Sequence, residues 1–243
     1  MTPPQDQPAF TSNTPVGAIV AGRPGLARLF EHLGIDYCCG GKLPLGAACR
    51  QRGLDTAATL NLLHTAVTDM EQTQTDMDAT GMTGTELADH IERTHHAYTK
   101  AELPHLVALA DRVAAKHGER DPRLVDLAVT LRILAADMLD HMEKEEIALF
   151  PLIRRIETEA QATCACEIIA TPIRCMEAEH NATGRAVAHL RELTDHFTPD
   201  AAACQSHRAL LAGLAAFEAD LHRHVHKENN ILFPGILARI HAA

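Results

Sequence analysis

The sequence predicts an all-α protein, an antiparallel four-helix bundle preceded by a small helical N-terminal domain. Three observations predict it. Apolar residues make up 46% of the chain, aromatics only 3%, and Trp is absent, so Ala, Leu and Ile must build the core. Runs of β-branched residues are scarce. From Thr85 onward, apolar positions recur at helical spacing over four long stretches with short connections.

Each element follows from local signals. Residues 1–12 are polar and proline-rich and read as a disordered tail. Residues 13–72 read as a small domain, with helical pieces at Val16 to Ala21, Pro24 to Leu33 and Leu45 to Gln51, separated by Gly and Pro. Leu60, Leu63, Val67 and Met70 continue it at helical spacing. Residues 73–84 are rich in Thr, Asp and Gly and read as a linker. The bundle spans 85–240, with helices near 85–117, 122–157, 170–196 and 202–240. Turn signals fall at His117-Gly118 to Asp121-Pro122, from Cys164 to Thr171-Pro172, and at Thr198-Pro199-Asp200.

Charge and composition exclude several classes. The formal charge is -10 with neutral histidines, and no basic cluster suggests nucleic acid. No apolar run is long enough to span a membrane, and Met1 to Pro15 has neither the basic start nor the apolar stretch of a secretion signal. Seven Cys without an export signal read as reduced thiols, which places the chain in the cytoplasm. Sixteen His are the anomaly, and they ask for metal, proton chemistry or a pH switch.

A repeat answers that question. His141-Met-Glu-Lys-Glu145-Glu-Ile-Ala-Leu149-Phe150-Pro151 matches His224-Val-His-Lys-Glu228-Asn-Asn-Ile-Leu232-Phe233-Pro234, 83 residues later. His96 and His180 lie 84 apart. The bundle therefore reads as two related hairpins about an approximate two-fold axis, each with a His on its first helix and a His-x-x-x-Glu on its second. His141 and Glu145, and His224 and Glu228, lie one turn apart on one helix face. Glu145 shares a stripe with Leu131, Leu134, Met138 and Leu152, and Glu228 with Leu214, Leu221 and Leu232, so both face the core. Buried carboxylates are tolerable there if they share a cation. His180 is in phase with Ile173, Met176 and Val187. In the first helix, His95 follows Leu87 and Ile91, whereas His96 follows Leu103, Leu106, Ala110 and Val113, and Pro104 offers a phase shift between them. Periodicity leaves the two open, and the repeat offset favours His96.

Four His and two Glu are too many for one tetrahedral zinc, and nitrogen and oxygen donors without thiolate suit iron or manganese. Two metals bridged by Glu145 and Glu228, each with two His, would keep an open position for dioxygen, nitric oxide, peroxide or water. Lys144 and Lys227 read as solvated flanks, and the Leu-Phe-Pro triplets as core plugs and helix punctuation. His222 and His226 share a face with Glu218 and Asn229 that reads as solvated. Glu177 matches a ligand motif only once and reads as a bystander. Cys164-x-Cys166, Cys175 and Cys204 read as ordinary thiols.

The segment Asp36-Tyr37-Cys38-Cys39-Gly40-Gly41-Lys42, preceded by Leu33-Gly34, is similar to the small ScdA-type domain of the repair-of-iron-centres family. That family joins this Cys-Cys domain to a hemerythrin-like di-iron bundle, and the resemblance runs from about Thr14 to Leu237. It implies iron ligands at His96, His141, Glu145, His180, His224 and Glu228, which resolves the choice against His95. It also implies two iron ions per chain with an oxo or hydroxo bridge. Oxygen-carrying hemerythrins are less similar, because their fifth His would follow His180 where Gly184 stands.

The resemblance implies repair of iron–sulfur clusters damaged by nitrosative or oxidative stress, through donation of iron. The partners it implies are damaged or apo iron–sulfur proteins or an assembly scaffold, with nitric oxide and dioxygen as small ligands. A homodimer is compatible with it. Two alternatives stay open: a nitric oxide reductase making nitrous oxide, and a non-enzymatic sensor or carrier of dioxygen or nitric oxide. Cys38 and Cys39 are the chemically active pair this reading selects. Adjacent cysteines are poor disulfide partners, so they are open to receiving iron, exchanging electrons or forming a mixed disulfide. Two buried thiols beside a Gly-Gly turn is the plainer reading. Gly40 and Gly41 are expected to permit a tight turn that exposes the thiols.

Overall fold

A computed structural model of the chain describes residues 10–70, 81–158 and 165–242. The expected tail up to residue 9, most of the expected linker, and Cys164 with its connection lie outside the described residues. Two compact units form. The first holds the described residues up to Gly81 together with His226–Ile231; the second holds Met82–Val225 and the described residues from Leu232 onward.

The first unit is built from four short helices, α1 (Val16–Gly22), α2 (Ala27–His32), α3 (Leu45–Gln51) and α4 (Thr56–Met70), with a 3₁₀ turn at Pro24–Leu26. Val16, Leu26, Phe30, Tyr37, Leu45 and Leu63 form its core. Phe10 belongs to that core rather than to a tail, because the Arg23 guanidinium lies over its ring and His64 packs 4.6 Å from it. The turn segment before α3 is tied to α1 by Val16 N–H to Leu43 O and Gly17 N–H to Gly41 O.

The four helices of the bundle make the second unit, except that His226–Ile231 of the fourth is counted with the first unit. The first helix of the bundle comprises α5 (Gly84–Ile91), a π turn at Glu92–His96 and α6 (Ala97–His117). The second comprises α7 (Arg123–Lys144), a π turn at Glu145–Leu149 and α8 (Phe150–Thr158). The third is α9 (Ala165–Leu193), and the fourth comprises α10 (Gln205–Lys227), a π turn at Glu228–Leu232 and α11 (Phe233–Ala242). Thr83 opens α5 with a capping box to Glu86. The free N–H groups of Gly84 and Thr85 donate to Glu157 on α8, at 2.7 and 2.8 Å. No strand occurs among the described residues.

The π turns correct the phase read from the sequence. A π turn holds an additional residue, so the helix face rotates by roughly 100° across it. Both phases of the first helix are therefore buried, with Leu87 and Ile91 before the turn and Leu103 and Leu106 after it. The shift lies at 92–96 and not at Pro104, which sits inside an unbroken α6. In the second helix the same effect places Ile153 and Ile156 in the core and leaves Leu152 only half-buried. The widened turns also accommodate Pro151 and Pro234, whose rings would otherwise meet the carbonyl four residues back. These prolines mark the π turns and do not end the helices. Pro172 likewise falls within α9 and does not start it.

Candidate metal centre

The bundle brings all six expected ligands together. His96, Glu145, His224 and Glu228 form one buried group, and His141, Glu145, His180 and Glu228 form another. Each group gathers its donor atoms within 4.8 Å of one another, and the two share both carboxylates. Glu145 and Glu228 are fully buried, and each opens a π turn one helical turn beyond its partner His. Placing a π turn at the same position of both repeats aims each Glu inward beside its His, in keeping with the frequency of π turns at functional sites.

The distances favour metal ligation. His96 Nε2 lies 3.2 Å from His224 Nε2, and His141 Nε2 lies 3.0 Å from His180 Nε2. With metal–imidazole bonds of about 2.1 Å, such separations subtend about 90–100°, closer to adjacent octahedral positions than to a tetrahedron. Glu145 Oε2 sits between the groups, 3.3 Å from His96 Nε2 and 3.4 Å from His141 Nε2. Two buried carboxylates among four imidazoles need compensating positive charge, and the nitrogen and oxygen donor set fits iron.

The flanking residues set the tautomers. His96 Nδ1 bonds to Glu146 Oε1 at 2.8 Å, and Lys100 holds the same carboxylate. His141 Nδ1 bonds to Glu179 Oε2 at 2.8 Å, and Lys144 holds Glu179. Each carboxylate keeps the proton on Nδ1, so that Nε2 presents its lone pair to the centre. Burial pushes Glu146 and Glu179 up, but the adjoining Lys and His outweigh it and hold both below the usual carboxylate range. Phe150 stacks on His96 and Phe233 on His180, so the Phe of each repeat walls a histidine of the other helix in its hairpin. His95 is also buried. It faces Asp220, 3.0 Å from Nδ1, and stacks parallel to His224, outside both donor groups.

Several sequence expectations change here. Glu146 and Glu179, which the sequence reading did not single out, hold His96 and His141. The repeat could not reveal this, because it maps Glu146 onto Asn229 and Glu179 onto His95. The face of His226, Glu218 and Asn229 is buried, not solvated. Glu218 pairs with Arg191. Burial pushes the His226 imidazole down to about 4, against the opposing pull of the Tyr37 carbonyl. His226 and Asn230 pack as part of the first unit, where Asn230 Nδ2 donates to the carbonyls of Tyr37 (3.2 Å) and Cys38 (3.0 Å). Gly41 and Gly17 serve this close approach, since a Cβ on either would lie 2.1–2.3 Å from Asn230 Oδ1. The Gly-Gly turn therefore does not expose both thiols: Cys38 is buried and Cys39 half-buried, and neither is in a disulfide. The Cys38 thiol is pushed well up, by its hydrogen bond to Cys39 and then by burial.

Comparison with known proteins places the chain. The model for the hemerythrin HHE cation binding domain matches residues 87–236, and that for ScdA_N, a domain of unknown function, matches residues 12–67. A probable iron-sulfur cluster repair protein of Haemophilus influenzae is 36% identical over 217 residues, covering 88% of this chain and 92% of its own. The chain belongs to the iron–sulfur cluster repair family. The repair proteins YtfE of Yersinia pseudotuberculosis and Yersinia pestis are 34% identical over 226 residues, covering 93% of this chain and 97% of theirs. In this repair family member, both buried donor groups fall inside the cation binding domain. No helix among the described residues is long and apolar enough to cross a membrane.

Proposed function

We propose that this chain repairs damaged iron–sulfur clusters as a di-iron protein, holding one iron at each donor group and releasing iron to an apo-cluster partner. The sharing of Glu145 and Glu228 between two groups carries this reading, because paired sites with common carboxylates suit two adjacent cations with a bridging oxo or hydroxo group. Bound there, iron supplies redox chemistry, and as ferrous ion it is the cargo for an emptied cluster. His96, His141, His180 and His224 are the terminal nitrogen ligands. Glu146 and Glu179 orient two of them, and the surrounding Leu, Met and Phe side chains exclude water. Cys38 and Cys39 are the thiols through which the first unit acts on a client or its iron. Thiol chemistry of this kind suits a reducing cytoplasm.

Reduced protein is expected to restore activity to an apo iron–sulfur enzyme, and a Glu228→Leu variant is expected to fail. Donation by that variant at the wild-type level would remove the bridging role. The second reading, nitric oxide reduction, is favoured by one observation: each site offers only four protein donors, two of them shared, and so has room for a small ligand. Anaerobic turnover with analysis for nitrous oxide separates the two. Gas production without repair would assign the enzyme role.

A further inference from the structure

We propose that Asp36, Cys38 and Cys39 form an additional metal site, which takes a thiophilic divalent cation such as ferrous iron or zinc in exchangeable form. It deepens the repair reading, and rests on it only for the identity of the cargo. The donors fall within the four-residue stretch from Asp36 to Cys39, and their ligand atoms lie within 4.8 Å of one another. Cys38 Sγ is 4.0 Å from Cys39 Sγ and 3.1 Å from Asp36 Oδ1. With metal–thiolate bonds of about 2.3 Å, two sulfurs on one tetrahedral cation lie about 3.8 Å apart, close to what this turn presents. A mutual disulfide is the poorer outcome, since adjacent Cα atoms lie about 3.8 Å apart and disulfides usually span about 4.4–6.8 Å.

The turn is built before any ligand arrives. Asp36 Oδ1 accepts from Cys38 N–H (3.0 Å) and Cys39 N–H (2.9 Å), which fixes both cysteines relative to the carboxylate. Asn230 holds the Tyr37 and Cys38 carbonyls on the other side, and the Tyr37 hydroxyl donates to Glu31. Asp36 Oδ2 takes no hydrogen bond among the described residues and remains for a cation. Gly40 keeps that oxygen uncovered, because a Cβ there would lie 3.2 Å from Oδ2 and 2.9 Å from the Asp36 carbonyl. Asp36 is exposed and Cys39 half-buried, so solvent or an exchanging ligand reaches the fourth position. Two thiolates and one carboxylate with an open position select a thiophilic cation over magnesium or calcium. Each thiol that binds gives its proton to solvent.

Cobalt(II) added to reduced, full-length, iron-loaded protein tests this site. The six bundle donors contain no sulfur, so a thiolate-to-cobalt charge-transfer band reports sulfur ligation alone. The expected result is a band that saturates at one added equivalent. Cys38→Ser and Cys39→Ser should each abolish the band and weaken cobalt binding by at least about tenfold. Asp36→Asn, which keeps the acceptor for both N–H groups but removes the charge, should weaken binding with the band retained. No band, or a band unchanged in both Cys variants, overturns the site. Circular dichroism and melting check each variant. If Cys38→Ser does not fold, Cys39→Ser and Asp36→Asn decide the outcome. Bundle iron is counted on the same samples: a missing cobalt band with full bundle iron sinks only this site, whereas missing bundle iron with a cobalt band sinks only the di-iron reading.

Discussion

Glu179→Gln and Glu179→Leu, with the matching changes at Glu146, test how the protein around the centre tunes it. Glu179 accepts from His141 Nδ1 at 2.8 Å and Glu146 from His96 Nδ1 at 2.8 Å, and neither is a member of a donor group. A hydrogen bond to a charged group contributes about 1.5–3 kcal/mol, and a neutral one about 0.5–1.5. Gln still accepts the Nδ1 proton, so Glu179→Gln forfeits only the charge-assisted part, about 1–1.5 kcal/mol, or roughly five- to tenfold in iron affinity. Leu accepts nothing, so Glu179→Leu should cost roughly ten- to a hundredfold. The assay is anaerobic competition for ferrous iron against a chelator of known affinity. Each variant should release first the iron on its own side, with Glu146 changes acting on the His96 group and Glu179 changes on the His141 group. Wild-type affinity in both Leu variants would refute the orienting role, as would equal losses for Gln and Leu.

Other predictions concern the scaffold. Glu157→Gln should destabilise the chain by about 1 kcal/mol in denaturant unfolding, through its bonds to the free N–H groups of α5. Burial pushes Glu157 up, but its bonds to Thr85 and Gly84 prevail and hold it below the ordinary value of 4.5. Its contribution is therefore complete above that value and lost as pH falls through the lower folded value, and the variant should show a smaller acid-induced loss of stability. Gly41→Ala should cost about 1–3 kcal/mol by displacing Asn230, and adding Asn230→Ala should recover part of that loss. Strictly additive melting shifts would show that the two do not meet. Phe150→Ala and Phe233→Ala should each cost about 3–5 kcal/mol as core truncations, and Phe→Leu changes less, as read by thermal unfolding.

Much of the fold, and the convergence of the six His and Glu side chains, was legible because helical periodicity and an internal duplication report on the same faces. His141 and Glu145, and His224 and Glu228, announce their orientation through one-turn spacing against buried leucines. The choice of His96 over His95 was not settled by phase, because a π turn at 92–96 lets both side chains face inward. No simple residue pattern encodes that widening, although Pro151 and Pro234, each two residues beyond a π turn, mark where it ends in the other helices. Leu152 was misplaced for the same reason, since the additional residue passes the core position to Ile153. Glu146 and Glu179 were missed because they act across helices, at sites the duplication does not preserve. The burial of His226 was missed because its neighbours lie far away in sequence, around Tyr37 and Cys38. A periodicity read along one helix cannot register a face covered by residues almost two hundred positions upstream.

Iron stoichiometry tests the central claim most directly. Protein loaded anaerobically with ferrous iron, freed of excess metal and analysed for metal per chain should carry two irons, one for each donor group. In a Glu145→Leu, Glu228→Leu double variant that stays folded, both should be lost together, because both groups depend on the same two carboxylates. A single zinc per chain, or two irons retained in the double variant, would contradict a centre built on shared Glu145 and Glu228.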